Sequence, residues 1–185
     1  MRADAVRSRE QLLKAAAEVF AEQGTETSIA EIAQRAGVGK GTVFRHFASK
    51  DELVAAIVCG IIDDLVVTVE GLAESDPMTG LSGYMTAMID LQARNRAFCE
   101  VAYEGSALDH PSAEASRARL LAAVDVIADR ARAAGVIKPG ITGEDLMALL
   151  SGIHHAAAPR MAAEPELNRR YLAVVLDGLS NRLGS

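Results

Sequence analysis

The stretch Ser28 to Lys50, SIAEIAQRAGVGKGTVFRHFASK, decides how this chain folds. Ser28 and Glu31 have the spacing of a capping box, in which a serine hydroxyl accepts from the amide three residues on while the glutamate reaches back to the serine amide. Ile29, Ile32, Ala33 and Ala36 then share one apolar helical face. Gly37 stands where the chain must turn sharply, and a residue without Cβ enters left-handed conformations at little cost. Val38 and Val43 bracket a second short helix and fill the angle between the two. Lys40, Thr42, Phe44, Arg45 and His46 are left facing outward, with Lys50 just beyond. Such a set suits phosphates and major-groove base edges, which is the pattern of a DNA-reading helix-turn-helix.

Working outward, an amphipathic helix over residues 8–23 turns Leu12, Leu13, Ala16, Val19 and Phe20 inward, and Gly24 closes it. Residues 8–53, SREQLLKAAAEVFAEQGTETSIAEIAQRAGVGKGTVFRHFASKDEL, resemble the N-terminal domain of TetR-type (tetracycline-repressor-like) bacterial transcription regulators almost position by position. The resemblance combines Phe20 and Gly24, Thr27-Ser28, Ile32-Ala33, Gly37-Val38, Lys40-Gly41-Thr42 and His46-Phe47 followed by Ser49-Lys50. It implies an all-α, nine-helix architecture with a helix-turn-helix domain over 1–50 and a helical effector-binding and dimerisation domain over 51–185. It also implies a homodimeric repressor on a near-palindromic double-stranded DNA operator, released by a small, mostly apolar effector. The DNA contacts it implies are Thr27, Ser28, Lys40, Gly41, Thr42, Phe44, Arg45, His46 and Lys50. Two positions depart from the family pattern. Phe44 stands where tyrosine is usual, removing a hydroxyl that often meets phosphate, and Gly39 stands where a hydroxyl residue is usual.

Composition agrees with helices. Half the residues are hydrophobic, yet aromatics make up only 4% and Trp is absent, so Ala, Leu and Val must build the core by close packing. The net charge of −6 would argue against nucleic acid if it were evenly spread. It is not: residues 1–50 hold 8 Lys/Arg against 6 Asp/Glu, while residues 51–185 hold 11 against 19. A local basic surface is enough for phosphate contacts. Cys59 and Cys99 sit in apolar helical contexts without a CxxC spacing and read as buried reduced thiols. The first residues lack an apolar leader core. The longest apolar run, 53–62, falls short of the roughly 20 residues that span a bilayer, so a cytoplasmic protein without a membrane partner is expected.

The five prolines punctuate apolar-periodic segments, and helices are expected at 50–73, 79–93, 97–108, 112–134, 143–157 and 165–183. The last two carry Leu146, Leu149, Leu150 and Ile153, then Tyr171, Leu172, Val175 and Leu179, more apolar surface than one small domain would bury. Leu149, Gly152, Ile153, Tyr171, Val175 and Leu179 are therefore expected at a dimer interface, with Gly152 permitting close approach.

Other constellations carry less. GVGKGT fails as a phosphate loop, since the spacing needs glycine where Gln34 stands and Ser or Thr where Gly41 stands. Adjacent His154 and His155 point about 100° apart on a helix and do not chelate one ion. Glu100, Glu104, Asp109 and His110 lack a nucleophile or a metal spacing and read as solvated or structural charges, and Arg94 and Arg96 as solvated or helix-terminal cations rather than an anion clamp. No catalytic residue, metal or cofactor is expected. Tyr84, Met85, Met88, Phe98 and Tyr103 form a soft apolar cluster that by itself reads as core. The resemblance turns it toward a ligand cavity, with Tyr84, Met88, Phe98, Tyr103, Val124 and His154 as effector contacts. A rival reading, an all-helical ligand-binding or enzyme domain, lacks an acid, base and nucleophile set; an effector-free architectural DNA binder is a second.

Overall fold

The computed structural model describes residues 2–95, 98–101 and 111–180, with side chains from Ser8 onward. The described chain is helical: α1 (Arg2–Gln23), α2 (Ile29–Arg35), α3 (Lys40–His46), α4 (Lys50–Ala73), α5 (Pro77–Arg94), α6 (Pro111–Ala133), α7 (Gly143–Ala157) and α8 (Leu167–Leu179). A 3-10 turn, Ala158–Arg160, follows α7, and residues 98–101 form a further helical turn where the sixth expected segment falls. The rest of that segment, 102–108, lies outside the described residues. The one β-feature among them is an isolated antiparallel bridge between Ile137 and Ser180. None of the described helices is long and apolar enough to cross a membrane.

Local chemistry sets the helix ends. At α2 both halves of the capping box form: Ser28 Oγ accepts from Glu31 N at 3.3 Å, and Glu31 Oε2 accepts from Ser28 N at 2.9 Å. At α7 Thr142 and Asp145 repeat the arrangement. The α5 start lies two residues ahead of expectation, because Asp76 Oδ1 accepts from Met78 N and Thr79 N, each at 3.0 Å, and Pro77 takes the first helical position. Helix α1 also starts earlier than residue 8, over RADAVR, which holds neither Gly nor Pro. Helix α8 starts at Leu167 rather than Pro165 and stops at Leu179, whose carbonyl accepts from Lys138 N at 3.0 Å.

These caps make a pH prediction. The amide and hydroxyl of Ser28 hold the Glu31 carboxyl below its ordinary value of 4.5, and Thr142 does the same for Asp145. A depressed carboxyl contributes stability that is fully present above its unfolded pKa and is lost as pH falls through the folded value. Glu31→Gln should therefore lower the melting temperature at pH 7, and the gap to wild type should close as pH drops below about 4.5. A gap of constant size across that window would remove the carboxylate from the cap.

The chain divides into two compact units, residues 1–62 with 94–116, and residues 63–93 with 117–185. In the first, α1 packs on α2 and α2 on α3, around Leu12, Phe20, Ile32, Val43 and Phe47, each at most 2% exposed. Burying each of the two phenylalanines is worth roughly 1.5–3 kcal/mol over leaving it exposed. The start of α4 and the turn 98–101 add Leu53, Phe98 and Val101 to the buried side chains of this unit. In the second, α5 buries Leu81, Tyr84, Met85, Met88 and Ile89, α6 buries Val124 and Ile127, and α7 buries Leu146, Leu150 and Ile153. Gln92 Nε2 ties α5 to the Leu150 carbonyl of α7 at 3.4 Å. Cys99 is buried as expected, whereas Cys59 is only half-buried, its thiol 3.5 Å from Ser112 Oγ.

Candidate nucleic-acid interface

Helix α2 ends in a Schellman arrangement: Val38 N donates to Ala33 O at 2.9 Å, Gly37 N to Gln34 O at 3.1 Å, and Gly37 has φ +67°. That turn launches α3. Val43 and Phe47, four residues apart, are 1% and 2% exposed and pin α3 to the core, which leaves Lys40, Gly41, Phe44 and Arg45 on the opposite face. Phe44 is 54% exposed, a large apolar ring in water that the fold of this unit does not use. Thr42 and His46 flank that face half-exposed. The guanidinium of Arg9 lies over the Phe47 ring at 5.0 Å and ties α1 to the end of α3.

Glycine usage separates what the fold requires from what it leaves free. Gly37 needs its positive φ, but Gly39 has an ordinary φ of −77°, and a Cβ at Gly39 or Gly41 would meet nothing within 4 Å. A glycine inside a helix costs about 1 kcal/mol relative to alanine. Open space at both positions means that no neighbour in this chain demands their bareness, whereas close approach by an outside backbone would.

Ser28 is exposed at the start of α2, and Lys50, half-exposed, opens α4. Among the described residues Lys40, Arg45 and Lys50 have no carboxylate partner, while Arg35 is engaged by Glu22 at 3.2 Å. Thr27 differs from expectation in its surroundings: it is 6% exposed and donates its hydroxyl to Gly24 O at 3.1 Å, so it braces the α1–α2 turn from within. Glu100 had no local signal. Its carboxylate meets Thr25 across 75 positions of chain, which no spacing rule reveals.

The other expected residues fall as follows. Leu149, Gly152, Ile153, Tyr171 and Val175 line one open groove of about 820 Å³ on α7 and α8, with Ala148, Ala156 and Val174. Leu179 does not line it and is 5% exposed, in the core beside the Lys138 contact. Tyr84, Met88 and Val124 are buried in the second unit, where His154 is half-buried with its ring 5.7 Å from that of His155. Phe98 is buried in the first unit. Tyr103, Arg96, Glu104, Asp109 and His110 lie outside the described residues. Among the described residues no group of three His, Cys, Asp or Glu is placed to hold a metal ion.

A short helix pinned by two side chains and offering bare glycines, free cations and an apolar ring outward defines a helix-turn-helix DNA-binding module. Comparison with known proteins agrees. Residues 12–57 match the family of bacterial regulatory proteins, tetR family, and residues 76–181 match the C-terminal domain described as transcriptional regulator SbtR-like, so the chain belongs to the TetR family of transcriptional regulators. It is 31% identical to the TetR transcriptional regulator SCO0520 of Streptomyces coelicolor, over 95% of this chain and 99% of that one, with a TM-score of 0.67. The repressor KstR2 of Mycobacterium tuberculosis is 36% identical over 85 residues, which is 44% of this chain and 42% of that protein. The chain thus aligns to less than half of that curated relative. FadR of Bacillus subtilis, crystallised with stearoyl-CoA, shares the fold at a TM-score of 0.74 and 19% identity, covering 95% of this chain and 99% of that one.

Proposed function

We propose that the chain is a homodimeric transcriptional repressor, divided functionally at 1–50 and 51–185, that holds a near-palindromic operator until a small, mostly apolar effector binds. The observation that carries the reading is the outer face of α3, where Lys40, Gly41, Phe44 and Arg45 stand free on a helix that Val43 and Phe47 anchor. Arg45, Lys40, Thr42 and His46 reach base edges, Phe44 packs on sugar or a thymine methyl, and Ser28 with Lys50 meets phosphates on either side. Thr27 supports Ser28 through its bond to Gly24 O rather than by meeting phosphate itself. The protein binds rather than catalyses, and it works in the cytoplasm where the operator is.

Dimerisation draws support from α7 and α8. Each buries one apolar face in its own unit and turns a second, through Leu149, Gly152, Tyr171 and Val175, into the open groove. A two-fold dimer would require a near-palindromic operator with half-sites about 34–36 Å apart or a multiple of it.

Lys50→Ala should weaken binding to every duplex alike and lower the slope of log affinity against log salt by about 1. Binding isotherms across a salt series check this, and an unchanged slope would take Lys50 off the phosphate backbone.

The effector half of the reading rests on Tyr84, Met88, Val124 and His154, soft apolar area with polar tips inside the second unit. Coupling between two ligands is reciprocal, so an effector that releases DNA must bind less tightly to the DNA-bound dimer. A metabolite that shifts the melting temperature is titrated with and without operator, in wild type and in Met88→Trp, which fills the site. Weaker binding in the presence of DNA and in Met88→Trp is expected. Equal affinity in all samples would overturn the effector site.

A further inference from the structure

Glu100 stands on the helical turn 98–101, and its Oε2 accepts from Thr25 N at 2.6 Å and from Thr25 Oγ1 at 2.9 Å. The same carboxylate lies over Gly24, where a Cβ would come within 2.4 Å of Oε1 and where φ is +82°. Around this point the chain changes from α1 to α2. Gly24 N closes α1 on Phe20 O at 2.8 Å, Thr27 Oγ1 donates to Gly24 O, and Ser28 caps α2 one residue later. The angle at which α2 leaves α1 is thus set in a turn of a few residues with a charged acceptor at its centre, and α3 follows from α2 through the Gly37 turn.

The segment 94–116 belongs to the compact unit of α1–α3, yet the chain enters it from α5 and leaves it along α6, which contribute residues 77–93 and 117–133 to the other unit. A movement of the turn 98–101 would reach the helix-turn-helix through the bonds of Glu100 to Thr25. Hydrogen bonds to an ionised acceptor are shorter and stronger than neutral ones and fix direction as well as distance.

We propose that Glu100 is a positioning residue for DNA binding: a carboxylate latch by which the helical turn 98–101 holds the α1–α2 turn, and hence α3, in the arrangement that fits the major groove. It deepens the DNA-binding reading above and rests on it. Loosening the latch lowers operator affinity without removing any group that touches DNA.

The test uses the full chain as wild type, Glu100→Ala, Glu100→Gln, Thr25→Val and the double variant Glu100→Ala/Thr25→Val. Each is measured for amide hydrogen exchange along the chain and for affinity to a duplex that the wild type selects from a random-sequence library. Glu100→Ala should speed exchange at residues 24–46 and weaken the duplex complex by about tenfold, with residues 63–93 and 117–180 unaltered. Glu100→Gln, which keeps an acceptor oxygen without the charge, and Thr25→Val, which keeps the amide donor, should lie between. The double variant should bind no more weakly than Glu100→Ala, because both substitutions break one interaction. Wild-type affinity in Glu100→Ala would overturn the proposal, as would faster exchange spread evenly over the chain, the mark of a merely structural cap. Should Glu100→Ala fail to fold, Glu100→Gln and Thr25→Val decide it in the same way. A wild type that selects no duplex would defeat the DNA-binding reading and, with it, the functional role given to the latch; local loosening at 24–46 would then attest only its mechanics.

Discussion

Val175→Asp is expected to yield a folded monomer that binds the operator about 10²- to 10⁴-fold more weakly than wild type, the factor by which linking two binding modules exceeds one. Val175 is half-exposed on α8 and lines the open groove with Leu149, Gly152 and Tyr171, outside the packed core of its own unit. In a lone chain the aspartate meets water at little cost. In a dimer built on this groove it would be a desolvated charge without a partner, and such a charge costs several kcal/mol. Light scattering should report half the mass and the melting transition should survive. A variant that remains dimeric would move the interface to another surface.

Arg45→Ala should change which sequences are bound as well as how tightly. Arginine pairs in bidentate fashion with guanine O6 and N7, and losing such a contact costs about 1–3 kcal/mol at one base position while leaving the others alone. Arg45 is exposed beside Phe44 on the face opposite Val43, without a carboxylate partner among the described residues, so its removal disturbs no packing. Selection from a random duplex library should return a motif relaxed at one position in each half-site. The same motif from both proteins would demote Arg45 to a phosphate contact, and a fall in salt slope without a change of motif would confirm that demotion.

The contrast between these residues and Glu100 shows what a sequence makes legible. Ser28 and Glu31 bond across three positions, as Gly37 does with Gln34, and helical spacing together with cap chemistry determines such interactions before any tertiary structure exists. The helix-turn-helix is therefore legible in its two helices, its glycine turn and its outward cations, but not in its inward pair: the sequence offers Val38 with Val43, whereas Val38 is half-exposed and Phe47 is the residue buried beside Val43. The α5 start lies two residues ahead of the position the apolar periodicity gives, because Asp76-Pro77 is not only punctuation: an aspartate followed by proline is also a cap followed by a first helical turn. Thr27 has the position of a phosphate contact but is buried, since nothing in its neighbours says that its hydroxyl turns toward Gly24 O. Leu179 has the apolar periodicity of an interface residue, yet its own unit uses it, in a contact with Lys138 that lies far off in sequence. Glu100 is the extreme case. A carboxylate that bonds across 75 positions carries no periodic signature, so in the sequence it reads as solvated or structural charge.

The path of the chain through its two compact units bears on how such regulators can be recombined. The unit that contains α1–α3 is assembled from two separate stretches, 1–62 and 94–116, so its core includes Phe98, Val101 and Ala113 as well as the N-terminal helices. A chimera joined after residue 50 would carry the reading helix without several of the buried side chains of its own unit. It would also pair Gly24 and Thr25 with whatever residue the recipient offers in place of Glu100. On the DNA-binding reading proposed above, specificity should be portable as a handful of side chains on the outer face of α3, transplanted by substitution onto an intact host, and not as a block of fifty residues.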